Sequence, residues 1–113
     1  MKRVIPVFIL SILLLTTVFA SGCIPTDDIG DILAEPEQYE GKEVRIKGTV
    51  GDTIWLISEG AYQVGDGTGT IWVTTKEPPP QQGTTVTVKG SVEPAVTIGD
   101  TSLGTVVVES ERK

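Results

Sequence analysis

The sequence predicts an all-β domain, a small five-stranded barrel with one short helix at its start, preceded by an export signal. Three observations predict it. After Lys42 apolar residues recur at every second position, the period of a half-buried strand. Glycines and prolines cut that pattern into short runs joined by turns. Ahead of it, Val4 to Ala20 forms an apolar block behind Lys2 and Arg3. The 113 residues leave room for one domain. Without the first 22 of them, 91 remain, enough for a small core of its own.

The leader comes first. A positive start, a hydrophobic middle softened by Pro6, Ser11, Thr16 and Thr17, and the small residues Ala20, Ser21 and Gly22 match a secretory signal. Ala20-Ser21-Gly22-Cys23 also resembles the lipobox of prokaryotic lipoproteins, with Ala20 where Leu is usual. That resemblance implies removal of residues 1–22, lipidation of the Cys23 thiol, and residues 23–27 as lipidated N-terminus and tether. A two-chain lipid, at about 0.8 kcal/mol per buried methylene, would hold the 28–113 domain firmly. The alternatives are an uncleaved span, since about 17 apolar residues is the lower limit for crossing, and an ordinary cleaved signal. Against the span, the acidic Asp27, Asp28 and Asp31 follow where a positive stop is expected. Every alternative puts the domain on the extracytoplasmic side, and the lipoprotein reading makes it a lipid-anchored protein of the cell membrane.

Thr26 or Asp27 is expected to cap a helical turn reaching Leu33 or Ala34, because Ile29, Ile32 and Leu33 fall at i, i+3 and i+4. Pro36 should stop it. Glu37 to Lys42 reads as a bend in which Tyr39 covers an edge of the core and Gly41 supplies the turn. Val44, Ile46, Gly48 and Val50 then alternate with Arg45, Lys47 and Thr49, a first strand able to run on through Ile54 to Ile57. Gly48 and Gly51 mark a bulge or sharp coil. Ala61 to Gly65 is a second strand, Asp66-Gly67-Thr68-Gly69 a hairpin turn, and Thr70 to Thr75 a third strand. Pro78-Pro79-Pro80 makes Lys76 to Gly83 an extended connection. Val86, Val88 and Val92 build the fourth strand. Thr97 to Gly104 reads as a loop, Thr105 to Glu109 as the last strand, and Ser110 to Lys113 as a charged tail.

In this order the chain resembles the OB fold of replication protein A and tRNA-anticodon-type domains. The carrying residues are Tyr39-Glu40-Gly41-Lys42 with Val44-Arg45-Ile46-Lys47-Gly48-Thr49-Val50, then Asp66-Gly67-Thr68-Gly69-Thr70-Ile71-Trp72-Val73, then Gly83 to Val92. The resemblance spans Asp28 to Glu109 and implies a five-stranded Greek-key barrel. It departs from many such folds between strands three and four, where Lys76 to Gly83 is too short for their helix. Another small β-barrel or an open five-stranded sandwich is the alternative.

Composition narrows the chemistry. Histidine and asparagine are absent and Cys23 is the only cysteine, which excludes an intrachain disulfide, a Cys/His zinc site, a Cys–His dyad and a Ser–His–Asp triad. Neither calcium-loop spacing nor another metal pattern is present, and no cofactor is expected. Asp66 reads as an acceptor for N–H groups of its own turn rather than a metal ligand. An enzyme would have to work with carboxylates near turns whose separation no spacing fixes, so a non-catalytic protein is expected. After the leader, seven Lys and Arg face fifteen Asp and Glu, a net −8 that repels polyanions.

The candidate binding residues lie on two strand faces. Trp72 shares the outer face of strand three with Thr70 and Thr74, opposite Ile71 and Val73. Gln63 joins them from strand two, while Tyr62 turns inward with Val64. The resemblance makes this face the binding platform, on which aromatics stack. The alternative covers Trp72 with the proline segment or the helix. Trp55, among Ile54, Leu56 and Ile57, reads as core or hairpin packing. Arg45 and Lys47 share one face of strand one. The resemblance sets Lys89 beside them, and Lys42 is a further candidate.

The expected function is therefore a lipid-anchored extracytoplasmic binding module for a protein, a glycan or a small ligand. Single-stranded nucleic-acid binding is the alternative that the resemblance implies, and both acidity and location oppose it. The acidity also suits the exported bacterial OB-fold proteins thought to bind cations or small molecules. The haem-carrying OB-fold chaperone is excluded by the absent histidine.

Overall fold

The computed structural model describes residues 25–113; the leader and the lipidation site at Cys23 lie outside the described residues. Two short helices, α1 (Ile29–Ala34) and α2 (Pro36–Tyr39), precede five strands: β1 (Glu43–Leu56), β2 (Glu59–Gly65), β3 (Thr70–Thr75), β4 (Thr85–Ile98) and β5 (Thr101–Arg112). The strands close into a barrel in the order β1-β2-β3-β5-β4. All neighbours are antiparallel except β3 and β5, which run parallel from Trp72↔Val106 to Thr74↔Val108. Among the described residues no helix is long and apolar enough to cross a membrane.

The two-residue period decides which side chains fill the barrel. Val44, Ile46, Val50, Tyr62, Val64, Ile71, Val73, Val86, Val88, Val92 and Val107 form one buried cluster, and Tyr39 packs against it half-buried. Ile29 and Ile32 join this cluster from α1 with no exposed surface, a burial that stabilises the fold by roughly 2 kcal/mol each. Among the described residues, every member of the cluster lies between Ile29 and Val107.

β1 serves two partners. Its first half pairs with β4 in unbroken register from Glu43↔Ser91 to Thr49↔Thr85, and its second half pairs with β2 from Thr49↔Gly65 to Leu56↔Glu59. Where it changes partner, a Cβ on Gly48 would collide with the Gly65 carbonyl, so only glycine lets the strands come this close. The expected bulge follows directly, as a register shift between Val50 and Thr53.

Four expectations are corrected. Neither Thr26 nor Asp27 caps α1. Asp28 holds that position without a side-chain bond, and the cap comes from the β2–β3 turn. The Ile29 N–H donates to Asp66 Oδ2 at 3.0 Å and the Gly30 N–H to Thr68 Oγ1 at 2.8 Å. The approach is so close that a Cβ at Gly30 would stand 2.7 Å from the Thr68 carbonyl oxygen. Pro36 ends α1 and also opens α2, since its fixed φ suits a first helical position.

The expected loop from Thr97 to Gly104 is instead the end of a long β4–β5 hairpin. Thr97↔Ser102 and Ile98↔Thr101 pair around Gly99-Asp100, and Gly99 takes the positive φ of +58° that such a two-residue turn needs. Nor is Ser110 to Lys113 a free tail. β5 continues through Arg112, and Lys113 exchanges N–H and C=O bonds with Thr87 at 3.0 and 3.1 Å.

Candidate functional site

The two long hairpins rise on one side of the barrel and enclose a cleft of about 560 Å³. Its walls come from residues 58–60 of the β1–β2 hairpin and 96–98 of the β4–β5 hairpin, and its floor from residues 74–77 and 108–110. Glu59, Glu77 and Glu109 line it against one cation, Lys76, with apolar surface from Val96, Ile98 and Val108. At its rim the β1–β2 hairpin exposes Trp55 and Leu56 by 42% each and Ile57 by 99%. Leu56 lies against Gly99, where an added Cβ would stand 3.2 Å from its Cδ1, so the two hairpin tips meet.

Of the two expectations for Trp55, core or hairpin packing, the structure removes the core: Trp55 is 42% exposed and lies over Gly60 of its own hairpin. A strand alternates its faces, so the run Ile54-Trp55-Leu56-Ile57 cannot bury all four residues at a barrel edge. That unbroken run before a Ser-Glu-Gly turn was the signal for an exposed tip. Exposed apolar surface concentrated beside a cleft marks a place where something docks.

Under the cleft floor lies a satisfied polar cluster. The Tyr62 hydroxyl donates to Glu109 Oε1, and the Thr75 hydroxyl donates to Glu109 Oε2 at 2.8 Å. Arg112 approaches Glu109 Oε1 at 3.2 Å, stands 5.6 Å above the Tyr62 ring, and donates to the Pro78 carbonyl at 2.6 Å. Burial, reinforced by Glu109, pushes the Tyr62 hydroxyl far above its ordinary value. Arg112 is also raised: burial opposes its charge, but Tyr62 and Glu109 outweigh that. Among the described residues every buried side-chain nitrogen and oxygen has a partner. The cluster therefore fixes the floor rather than offering a reactive group.

Of the expected platform residues, only Thr74 lines the cleft. Gln63 and Trp72 are direct cross-strand partners on the outer face, both half-buried. Gln63 is tied to the β1 bulge by accepting the Asp52 N–H at 3.3 Å. Thr70 lies exposed at the far end of β3, opposite Gly65. Trp72 thus lies half-buried on the outer face, outside the core cluster.

The basic candidates gather elsewhere. Arg45↔Lys89 and Lys47↔Thr87 are paired positions on β1 and β4. Arg45, Lys47 and Lys89 line a second cleft of about 280 Å³ together with Arg112 and Lys113, which belong to the end of β5 and its ladder rather than to the expected tail. Lys42 does not line it. Lys89 lies 3.7 Å from Glu43 and 3.8 Å from Glu111, exposed pairs that hold it weakly. In the ring of strands, β3 stands opposite the β1/β4 seam, so the basic cleft and the Trp72 face look away from each other.

Asp66 keeps its expected turn role, accepting from the Thr68 N–H at 2.8 Å and the Gly69 N–H at 3.3 Å. Burial works against its charge, but the N–H of Ile29, the Thr68 hydroxyl and these turn donors outweigh it and hold the carboxyl below its ordinary value. Among the described residues no three acidic side chains gather as a metal site.

Comparison of the sequence with protein-family models gives no match, and comparison with curated proteins gives none either. Comparison of the structure does. Asparaginyl-tRNA synthetase from Pyrococcus horikoshii, in complex with asparaginyl-adenylate, superposes with a TM-score of 0.65 at 17% identity, over 80% of this chain and 22% of that one. The OBody AM3L09, bound to hen egg-white lysozyme, superposes with a TM-score of 0.60 at 19% identity, over 80% of this chain and 94% of that one. A second OBody, AM1L10, also bound to lysozyme, gives 0.59 at 19%, over 82% and 96%. The fold is the OB barrel. The chain spans less than a quarter of the synthetase's length, and at these identities the likeness establishes the OB barrel and nothing about activity.

Proposed function

We propose that this is a lipid-anchored, extracytoplasmic, non-catalytic binding module that takes a protein segment, a glycan or a small ligand into the cleft between its two hairpins. The carrying observation is the cleft itself: about 560 Å³, apolar along its β4–β5 wall, acidic along its floor, with Trp55, Leu56 and Ile57 exposed at its rim. OB barrels bind through the face of strands two and three and the loops at these two hairpins. The OBodies, one of them matching over 94% of its own length, are bound to a protein. The anchor rests on Ala20-Ser21-Gly22-Cys23 and the leader before it.

Metabolic labelling with an alkyne fatty acid, followed by membrane fractionation, tests the anchor. Labelled wild type in membranes and unlabelled, released Cys23→Ala is the expected pair of results; a variant that stays with membranes would favour the uncleaved span. A photo-crosslinking residue at Ile57, compared with one at exposed Thr49, tests the cleft. Crosslinks at Ile57 alone support it, and equal yields at the two positions count against it.

Nucleic-acid binding is the second reading, favoured by the register that brings Arg45, Lys47 and Lys89 together and by likeness to a tRNA synthetase. A nucleic-acid groove needs cations and aromatics on one face. Here Trp72 and Trp55 stand apart from the basic cleft, and the aromatic rim borders carboxylates.

A further inference from the structure

The described chain from residue 25 onward carries seven Lys and Arg against fifteen Asp and Glu, yet five of the seven cations line one small cleft with a single carboxylate, Glu111. The chain enters the domain at that same cleft. Thr26 is part of its wall. Asp27 is fixed to β1 beside it by two bonds: its N–H donates to the Arg45 carbonyl at 2.7 Å, and its Oδ2 accepts the Arg45 N–H at 3.1 Å. Cys23 stands four residues before Asp27, and four residues span at most about 14 Å. An anchor at Cys23 therefore leaves the root of the tether within about one to two screening lengths of the bilayer surface.

We infer that the β1/β4 basic cleft is the membrane-facing surface of the domain, with Arg45, Lys47, Lys89 and Lys113 on the phosphates of anionic lipid headgroups. This inference rests on the anchored reading above and adds an orientation to it. Basic residues at an anionic leaflet gain about 1 kcal/mol each, and the attraction fades within a Debye length. A cleft at the tether root is held closer to the bilayer than any surface on the far side of the barrel. The fifteen carboxylates would otherwise push the domain off the bilayer. With the β1/β4 seam toward the membrane, β3, opposite it in the ring, is turned outward.

The test uses the full anchored chain in vesicles of phosphatidylcholine alone or of equal parts phosphatidylcholine and phosphatidylglycerol. Floated vesicles are treated with an amine-acylating reagent, and each lysine is read by mass spectrometry. Lys47, Lys89 and Lys113 should be protected about fivefold in the mixed vesicles, the factor that about 1 kcal/mol supplies. Lys76, which lines the other cleft, should not change. Lys47→Glu should weaken the protection of Lys89 and Lys113. A chain that floats but shows equal labelling in both vesicles overturns the orientation and leaves the anchor standing. A chain that does not float overturns both. Protection by a soluble single-stranded oligonucleotide, without protection by mixed vesicles, would assign the cleft to nucleic acid and overturn the inference.

Discussion

The β1/β4 seam and the hairpin side of the same barrel are built by opposite rules. At the seam, seven consecutive pairs from Glu43↔Ser91 to Thr49↔Thr85 run without a break, and the outward face carries Arg45, Lys47 and Lys89 against the single carboxylate of Glu43. On the hairpin side the register shifts at Val50/Thr53 and again between Glu93 and Val96, the strands lengthen into arms, and the cleft between them is acidic with an apolar rim. Regular pairing serves a surface that has only to present charge. Bulges re-aim strands, and they occur here where the barrel encloses a volume. The two faces differ in charge and in apolar content, so they suit different partners, one a polyanionic surface and the other an uncharged or cationic ligand.

One side chain joins them. Arg112 lines the basic cleft and reaches Glu109 and the Tyr62 ring below the acidic one. Its removal leaves Glu109, exposed by only 7%, without its cation. Arg112→Ala should therefore be the most damaging surface-adjacent change, costing about 3 kcal/mol in a urea unfolding titration. A loss no larger than that of an exposed ion pair would mean that the two faces are independent.

A smaller effect separates the barrel from the segment that leads into it. Asp66→Ala removes the acceptor for the Ile29, Thr68 and Gly69 N–H groups and should cost about 1 to 2 kcal/mol, the range of a lost helix cap. The sign of its pH dependence follows from the lowered carboxyl. The unfolded chain binds this proton more readily than the folded one, so the contribution is fully present above about pH 4, the unfolded carboxylate value. It is lost as pH falls from there through the folded value. Wild type should therefore lose stability over that acid range more steeply than Asp66→Ala; parallel curves would show that Asp66 does not hold α1 to the turn.

The smallest change in stability belongs to the rim. Ile57 is 99% exposed, so Ile57→Ser should alter unfolding by no more than about 0.5 kcal/mol while weakening the crosslinks made by a photo-reactive residue placed at Ser58 in the cleft wall. A destabilised variant would place Ile57 in packing that its exposure denies.

Most of the barrel was legible because a period of two is a strong signal. Val44-Ile46-Val50, Ile71-Val73 and Val86-Val88 each declare an inward face, and Asp66-Gly67-Thr68-Gly69 declares a turn. What failed to show was whatever depends on a distant partner. α1 lacks a cap in its own sequence because Asp66 and Thr68, more than thirty positions away, supply it. Thr97 to Gly104 reads as a loop because its Thr, Ser and Gly residues carry no buried face. Its strand character comes from ladder bonds across Gly99-Asp100. Arg112 in a charged terminal run gives no local hint that Tyr62 and Glu109 wait for it.

The site was read less completely than the barrel. The pairing of Gln63 with Trp72 and of Arg45 with Lys89 followed from strand parity and the expected neighbours. The cleft did not, because its walls are hairpins whose lengths only the closed structure sets.

A titration of residues 25–113 with single-stranded oligonucleotide, read by tryptophan fluorescence at low and moderate salt, separates a protein, glycan or small-ligand binder from a nucleic-acid binder. Trp55 at the rim and half-buried Trp72 report binding on their own faces, and the anisotropy of a dye on the oligonucleotide reports binding at the basic cleft. A domain that binds through its hairpin cleft and faces lipid with its basic cleft gives no quenching and no change in anisotropy at moderate salt while it is shown to be folded. Quenching or a rise in anisotropy that is present at moderate salt and falls steeply as salt rises further, as counterion release requires, would contradict that reading and make the protein a nucleic-acid binder.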